Sequence, residues 1–318
     1  MSYIVSGQKD WIEMMYSDPL HLEMLESFGR LVEQKVLPAE LGTEVQRARN
    51  PFSEITSLLQ EKKGEDSAAS EESIREIRNK QKIPAAVYSQ IVESGLTAMA
   101  FAEELDGLGL PYPLFVSFLE TLGKASPSIG VRYAISNTVA EGLRFNHKTG
   151  ELSDYGLGVL KDLVSGEKLA AFCLTEASAS GSNIMREMET RAVLTHAGGH
   201  YVINGNKFWI TNAETADVYA LFAKTSDDPV HGISLFLVEK ENPGVRTGQI
   251  FEKRTVENSS FGEIIFQDVK VPLASLVGKL GHGAQYAVRM LNSGRITIAA
   301  LATGLAQRAF EEYLEVAV

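Results

Sequence analysis

Two short stretches of this chain pair residue types that could hold a planar, phosphate-bearing ligand. In residues 204–213, NGNKFWITNA, the turn-forming Asn204-Gly205 runs into an aromatic residue, Trp209, and a β-branched hydroxyl residue, Thr211. Alternate side chains on a strand share a face, so the indole and the hydroxyl project toward one neighbour. An indole can pack on a ring and a hydroxyl can bond a ring nitrogen, although a partner strand would satisfy the same pattern. In residues 170–183, AAFCLTEASASGSN, a β-prone run leads into a loop of small residues. The backbone N–H groups and serine hydroxyls of such a loop can approach phosphate oxygens. Taken alone, a Ser/Gly loop is more often an ordinary turn.

The elements that must position these stretches fall into three blocks. Up to residue 166 the apolar spacing is helical: residues 20–37, a helix from Pro84 to near Gly95, and residues 112–122 with Leu114, Phe115, Phe118, Leu119 and Leu122 as the buried stripe. Two further helices are expected over 126–145 and 154–164, and the polar stretch 40–82, with GEDSAASEES at its centre, reads as a solvated insertion. From Lys168 the period changes to two. LAAFCLTE, ETRAVLTHA, HYVING, KFWITNA, DVYALFAKT, GISLFLVEK and GEIIFQDVKVP are β-rich runs between turn signals, with HAGGH and NGN as candidate hairpin turns. From Gly283 the helical period returns, with Tyr286, Met290, Leu291, Ile298, Leu301, Ala302, Leu305, Phe310 and Leu314 on one apolar stripe. The expectation is an α+β chain: a helical domain over 1–166, a central antiparallel β-barrel or sandwich over 167–276, and over 277–318 the start of a C-terminal helical bundle.

Composition narrows the functional classes. A net charge of −11 over 318 residues argues against nucleic acid and against general binding to anionic membranes. Cys173 is the only cysteine, which excludes an internal disulfide and points to a reducing compartment; within its strand it reads as a small packing residue. The N-terminus lacks an apolar signal region and no run suits a membrane helix, so a soluble intracellular protein is expected. Gly278, Gly281 and Gly283 lack GxGxxG spacing and read as the turn that starts the last helix. The six histidines show no metal-ligand spacing.

Taken together, the motifs resemble the acyl-CoA dehydrogenase family. The matching stretches are CLTEASASGSN, VINGNKFWITN and FQDVKVPLASLVGKLGHG, with EELDGLGLPYP upstream and LNSGRITIAALATGLAQRAFEEY downstream. The resemblance runs almost continuously over residues 84–318. It implies bound FAD, lined by Phe172, Leu174 and Thr175 and completed by Trp209, Ile210 and Thr211. Gly181 and Ser182 would approach the FAD pyrophosphate or the CoA thioester arm, and Thr225, Asn292, Ser293, Gly294 and Arg295 would contact CoA. By register, Tyr133, Ser136, Asn137 and Ala140 would wall the acyl pocket. The signature loop departs from the family in having Ala177 for Pro and Asn183 for Asp, and in being one residue longer.

The implied reaction is oxidation of an acyl-CoA to the 2,3-enoyl-CoA, with an electron-transfer flavoprotein as electron acceptor. A homo-oligomer, dimer or tetramer, in the bacterial cytoplasm or the mitochondrial matrix is expected. Gly294 stands where some members carry the catalytic glutamate, so the base is expected beyond residue 318, with most of the C-terminal helical domain absent. A non-catalytic acyl-CoA- or flavin-binding paralogue acting as an interaction subunit is the alternative.

Overall fold

The computed structural model describes residues 19–36, 85–178, 183–195, 198–253, 255–256 and 258–317. The expected insertion at 40–82, and the helix ends placed at Leu37 and Pro84, lie outside the described residues. Pro19–Leu31 (α1) ends in a π-type turn at Val32–Val36, and Ala85–Glu93 forms α2. Tyr112–Ala125 (α3) buries all five residues of its expected stripe. Ser126 closes α3 through its N–H to Leu122 O (2.7 Å), and its hydroxyl accepts from Ile129 N (3.3 Å) to cap Pro127–Lys148 (α4). Asp154–Ser165 (α5) is capped by Ser153 and stopped by Gly166 at φ +80°.

The sheet follows: Ala170–Cys173 (β1), a short helix Ile184–Glu187 (α6), Arg191–Leu194 (β2), His200–Thr211 (β3), Val218–Lys224 (β4), Ile233–Glu239 (β5), Val245–Ile250 (β6), Phe261–Pro272 (β7) and Leu276–Val277 (β8). Neighbours run β6-β7-β3-β2-β4-β5-β8, and β1 lies parallel beside β4. Most other pairs are antiparallel, and the expected β2–β3 hairpin forms around HAGGH. Together the helices and this antiparallel-rich sheet make the expected α+β fold.

Two strand expectations need correction. NGN is not a hairpin turn: residues 200–211 form one strand, and the break in register at Ile203/Gly205 is a bulge, with Gly205 at φ +151°. Asn-Gly suits a tight turn, but here both flanks pair with β7, so the strand bends and continues. The polar run VRTGQI, not anticipated as a strand, forms the edge strand β6.

Gly283–Ala317 (α7) returns to the N-terminal helices and packs on α3 and α4. A Cβ at Gly123 would run into the backbone of Leu301, and one at Gly304 into the backbone of Glu120, so the two helices cross in direct backbone contact. The α7 stripe divides in two. Tyr286, Met290 and Leu301 are buried, whereas Leu291, Ile298, Leu305, Phe310 and Leu314 are exposed. No helix among the described residues is long and apolar enough to cross a membrane.

Candidate functional site

The site is built where β1 leaves the sheet beside the end of β3. Thr175 O accepts from Phe208 N at 2.9 Å, which ties the start of the small-residue loop to the residue before Trp209. A second break in register falls between Lys207 and Ile210. It shifts the inward alternation from Lys207 to Ile210, and leaves Trp209 at φ +57° with 46% of its surface exposed. Left-handed backbone is strained for a tryptophan, and bulges of this kind re-aim side chains. Trp209 thus stands exposed within the bulge and Thr211 follows it half-buried, on either side of the buried Ile210, so a bulge rather than a tight turn presents the indole. Phe208 is the only ring near the indole among the described residues, at 6.0 Å between centroids.

Beneath this surface lies a pair to which the sequence reading gave no role. Lys207 Nζ lies 2.7 Å from Glu176 Oε1, with side-chain exposures of 0% and 3%. Lys207 also donates to Leu174 O at 3.1 Å, while Glu176 accepts from the backbone N–H groups of Glu189 (2.6 Å) and Thr190 (3.1 Å). Burial pulls the Lys207 ammonium down to about 8 in spite of Glu176. Burial pushes the Glu176 carboxyl up, but Lys207 and the hydrogen bonds from Thr190 and Glu189 outweigh it and hold the group below its usual range. The pair clamps the strand before the loop to the strand carrying Trp209, and α6 follows from the same anchor. The available signal was a charge in each of the β-prone runs LAAFCLTE and KFWITNA.

The expected cofactor-lining residues divide by orientation. Thr175 and Thr211 are half-buried, and their hydroxyls make no hydrogen bond among the described residues. Phe172 is half-buried against Phe222 (5.1 Å between centroids). Leu174 and Ile210 are buried in apolar clusters, so only their backbone is available to a ligand. Gly181 and Ser182 lie outside the described residues. Cys173 is fully buried, and burial pushes its thiol up, as suits a packing residue. The residues here have the chemistry a planar ring would need: an exposed indole, two uncommitted hydroxyls and backbone held by the buried pair.

Asn212, next to Thr211, joins this face to α4. Its Nδ2 donates to Arg132 O and to Ala170 O, both at 3.0 Å, and Ser136 Oγ accepts from Ala170 N at 3.1 Å. The next residues of α4 line a small cavity: Tyr133, Ser136, Asn137 and Ala140, the four expected acyl-pocket residues, surround it together with Thr97.

The expected CoA contacts are not gathered in one place. Ser293 bonds Tyr112 Oη (3.4 Å), Gly294 faces Thr138, and the exposed Asn292 and Arg295 bond each other. Ser293 also borders a cleft of about 240 Å³ between α4 and α7, with Glu141, Arg144, Tyr286 and Arg289. Thr225, by contrast, bonds Gly232 O (3.3 Å) and Ser234 Oγ (2.8 Å), and Ser234 holds Gly281 N at the start of α7. Gly281 at φ +81° belongs to the turn that starts the helix, as expected. The 292–295 group lies roughly 13 Å farther along α7, at 1.5 Å per residue.

Comparison with known proteins bears on the family. The profile of the acyl-CoA dehydrogenase middle domain matches residues 171–269, and that of the N-terminal domain matches residues 66–148. The rat (Rattus norvegicus) mitochondrial short/branched chain specific acyl-CoA dehydrogenase is 37% identical over 232 residues, 72% of this chain and 52% of that protein. The chain thus spans about half the length of this relative. Butyryl-CoA dehydrogenase from Megasphaera elsdenii superposes with a TM-score of 0.76 at 25% identity, covering 99% of this chain and 70% of that one. A structure described as the electron transferring flavoprotein of Acidaminococcus fermentans gives 0.75 at 26% identity, covering 99% and 69%. With both domain profiles matched in order and the Trp209 bulge held against the Thr175 loop, the chain belongs to the acyl-CoA dehydrogenase family.

Proposed function

We propose that this chain takes part in FAD-dependent oxidation of an acyl-CoA thioester to the 2,3-enoyl-CoA. The observation that carries the proposal is the face formed by Trp209, Thr211 and Thr175, where an indole and two uncommitted hydroxyls surround backbone fixed by a buried ion pair. FAD, when bound, supplies the hydride acceptor. Trp209 would pack on its ring, Thr175 and Thr211 would donate to its polar edge, and Gly181 and Ser182 would hold its pyrophosphate. Asn292, Ser293, Gly294 and Arg295, with Thr225, would hold the CoA portion.

The reaction also needs a base for the α-proton, placed in a desolvated pocket. Gly294 supplies no side chain. Glu311 and Glu312 are exposed on the last turns of α7 and paired with Lys124 and Arg308, so the proposal assigns the base to neither. An electron-transfer flavoprotein is the proposed electron acceptor, in the bacterial cytoplasm or the mitochondrial matrix. The exposed apolar residues of α7 support a homo-oligomer.

The test begins with the cofactor: heat-released flavin should run as FAD in chromatography, and FMN or a nicotinamide would refute the assignment. Residues 1–318 are then assayed with acyl-CoA thioesters and an artificial electron acceptor. Turnover at background is expected, rising when Gly294→Glu supplies a carboxylate opposite Thr138. A yellow protein that neither form of the chain lets acyl-CoA bleach would favour a non-catalytic flavin-binding subunit instead.

A further inference from the structure

The cavity beside α4 contains polar atoms with nothing to bond. Asn137 is 8% exposed, and both its Oδ1 and its Nδ2 lack a partner; Thr97 Oγ1 is also buried and unpartnered. Tyr133 Oη is committed to Tyr88 O at 3.1 Å, and Ser136 Oγ to Ala170 N. The free volume is about 10 Å³, room for one water-sized group, and Phe115 and Leu163 are among its apolar walls. Among the described residues, no Lys, Arg, Asp or Glu lines it. Buried amides without partners are rare, because each costs a desolvation penalty that a bound group can remove.

Resting on the reading above, we infer that this chain selects acyl groups whose far end carries a neutral hydroxyl. Three features set that chemistry. An amide with both a free donor and a free acceptor asks for a group that can accept and donate at once, as a hydroxyl does. The absence of a lining cation disfavours a terminal carboxylate, which would be buried unpaired. The volume admits an oxygen but not further methylenes, so the acyl chain ends there. A methyl terminus would displace any water in the cavity without replacing its hydrogen bonds, and that loses affinity. The same stretch of α4 is tied to β1 and to the residue after Thr211 through Ser136 and Asn212, and Asn137, on that stretch, is the specificity-determining residue of the inference.

The experiment compares, on the 318-residue protein loaded with FAD, the affinities of ω-hydroxyacyl-CoA and unsubstituted acyl-CoA thioesters matched over about four to six acyl carbons. At one length the hydroxylated thioester should bind about ten- to a hundredfold more tightly, and Asn137→Leu and Thr97→Val should each reduce the preference. Equal affinity of the matched pairs at every length would overturn the inference and leave the cavity holding a structural water only. Binding of neither series would instead overturn the acyl-CoA reading itself, and the inference with it. The comparison in the unmodified protein stands even if a variant fails to fold.

Discussion

The buried charges of the sheet and the buried amide of α4 are treated in opposite ways, although single atoms of Thr190 and Asn212 on the sheet side also lack a partner. On the sheet side, Lys207 and Glu176 are out of solvent, but they meet each other and a backbone carbonyl and two amides besides. On the helical side, Asn137, Asn146 Oδ1 and Glu141 Oε1 are buried without partners, although Glu141 Oε2 accepts from Arg144. A completed buried network fixes structure and resists change, whereas an incomplete one costs free energy until something arrives to complete it. The first is therefore a clamp that holds the site's backbone in place before any ligand binds, and the second is a vacancy in the hydrogen-bonding pattern that a ligand can fill.

The contrast is broken most severely by removing one half of the clamp. Lys207→Met leaves the Glu176 carboxylate buried with no counter-charge and should cost about 3–5 kcal/mol at pH 7, read from urea denaturation. In the unaltered protein the folded-state pKa of Glu176 is depressed, so its contribution is present above the ordinary carboxylate value and is lost as pH falls. In the variant, burial raises that pKa, so protonation relieves the cost as pH falls. The stability gap between the two proteins should therefore narrow from pH 7 to pH 4. A gap independent of pH would mean that Lys207 contributes packing alone.

A smaller effect on folding, with a larger one on function, is expected at the bulge. Trp209→Gly relieves left-handed strain and removes only a half-exposed ring, so stability should stay within about 1 kcal/mol. Retention of flavin through gel filtration should fall sharply. Unchanged retention would detach the indole from the cofactor.

The smallest effect belongs to the incomplete side. Asn137→Leu replaces an amide that has no partner with a side chain of similar volume, and thermal unfolding should show a change near zero or a slight gain. A loss comparable to that of Lys207→Met would reveal that Asn137 is satisfied in solution and would erase the contrast.

Much of this arrangement was legible in the residues. The stripe of α3, the presence of α4 and α5, and the change of period at Lys168 have local causes, and local causes can be read from a sequence. The strand carrying Trp209 and Thr211 was legible too, but the bulge that exposes the indole was not, because it depends on pairing with β7. What stayed hidden was set by distant partners. Asn204-Gly205 carries a turn signal that pairing with β7 overrides. VRTGQI lacks an apolar alternation because, as the edge strand, it buries little. Glu176 and Lys207 lie 31 positions apart, and only the fold brings them together. The α7 stripe looked single because its exposed face is as apolar as its buried one, a pattern suited to a helix covered on more than one side.

The backbone contact between α3 and α7 also bears on the order of folding. Gly123 precedes the sheet and Gly304 follows it, so the whole sheet lies between them in sequence. Closing so long a loop adds little to the entropic cost, which grows only with the logarithm of its length, but it is the kind of non-local pairing that slows folding. A crossing that admits no Cβ on either helix also tolerates no slipped register, since a shift of one residue would bring a side chain into the contact. The last helix thus docks in a single position or not at all, and Ser293 and Gly294 reach Tyr112 and Thr138 only after it has done so.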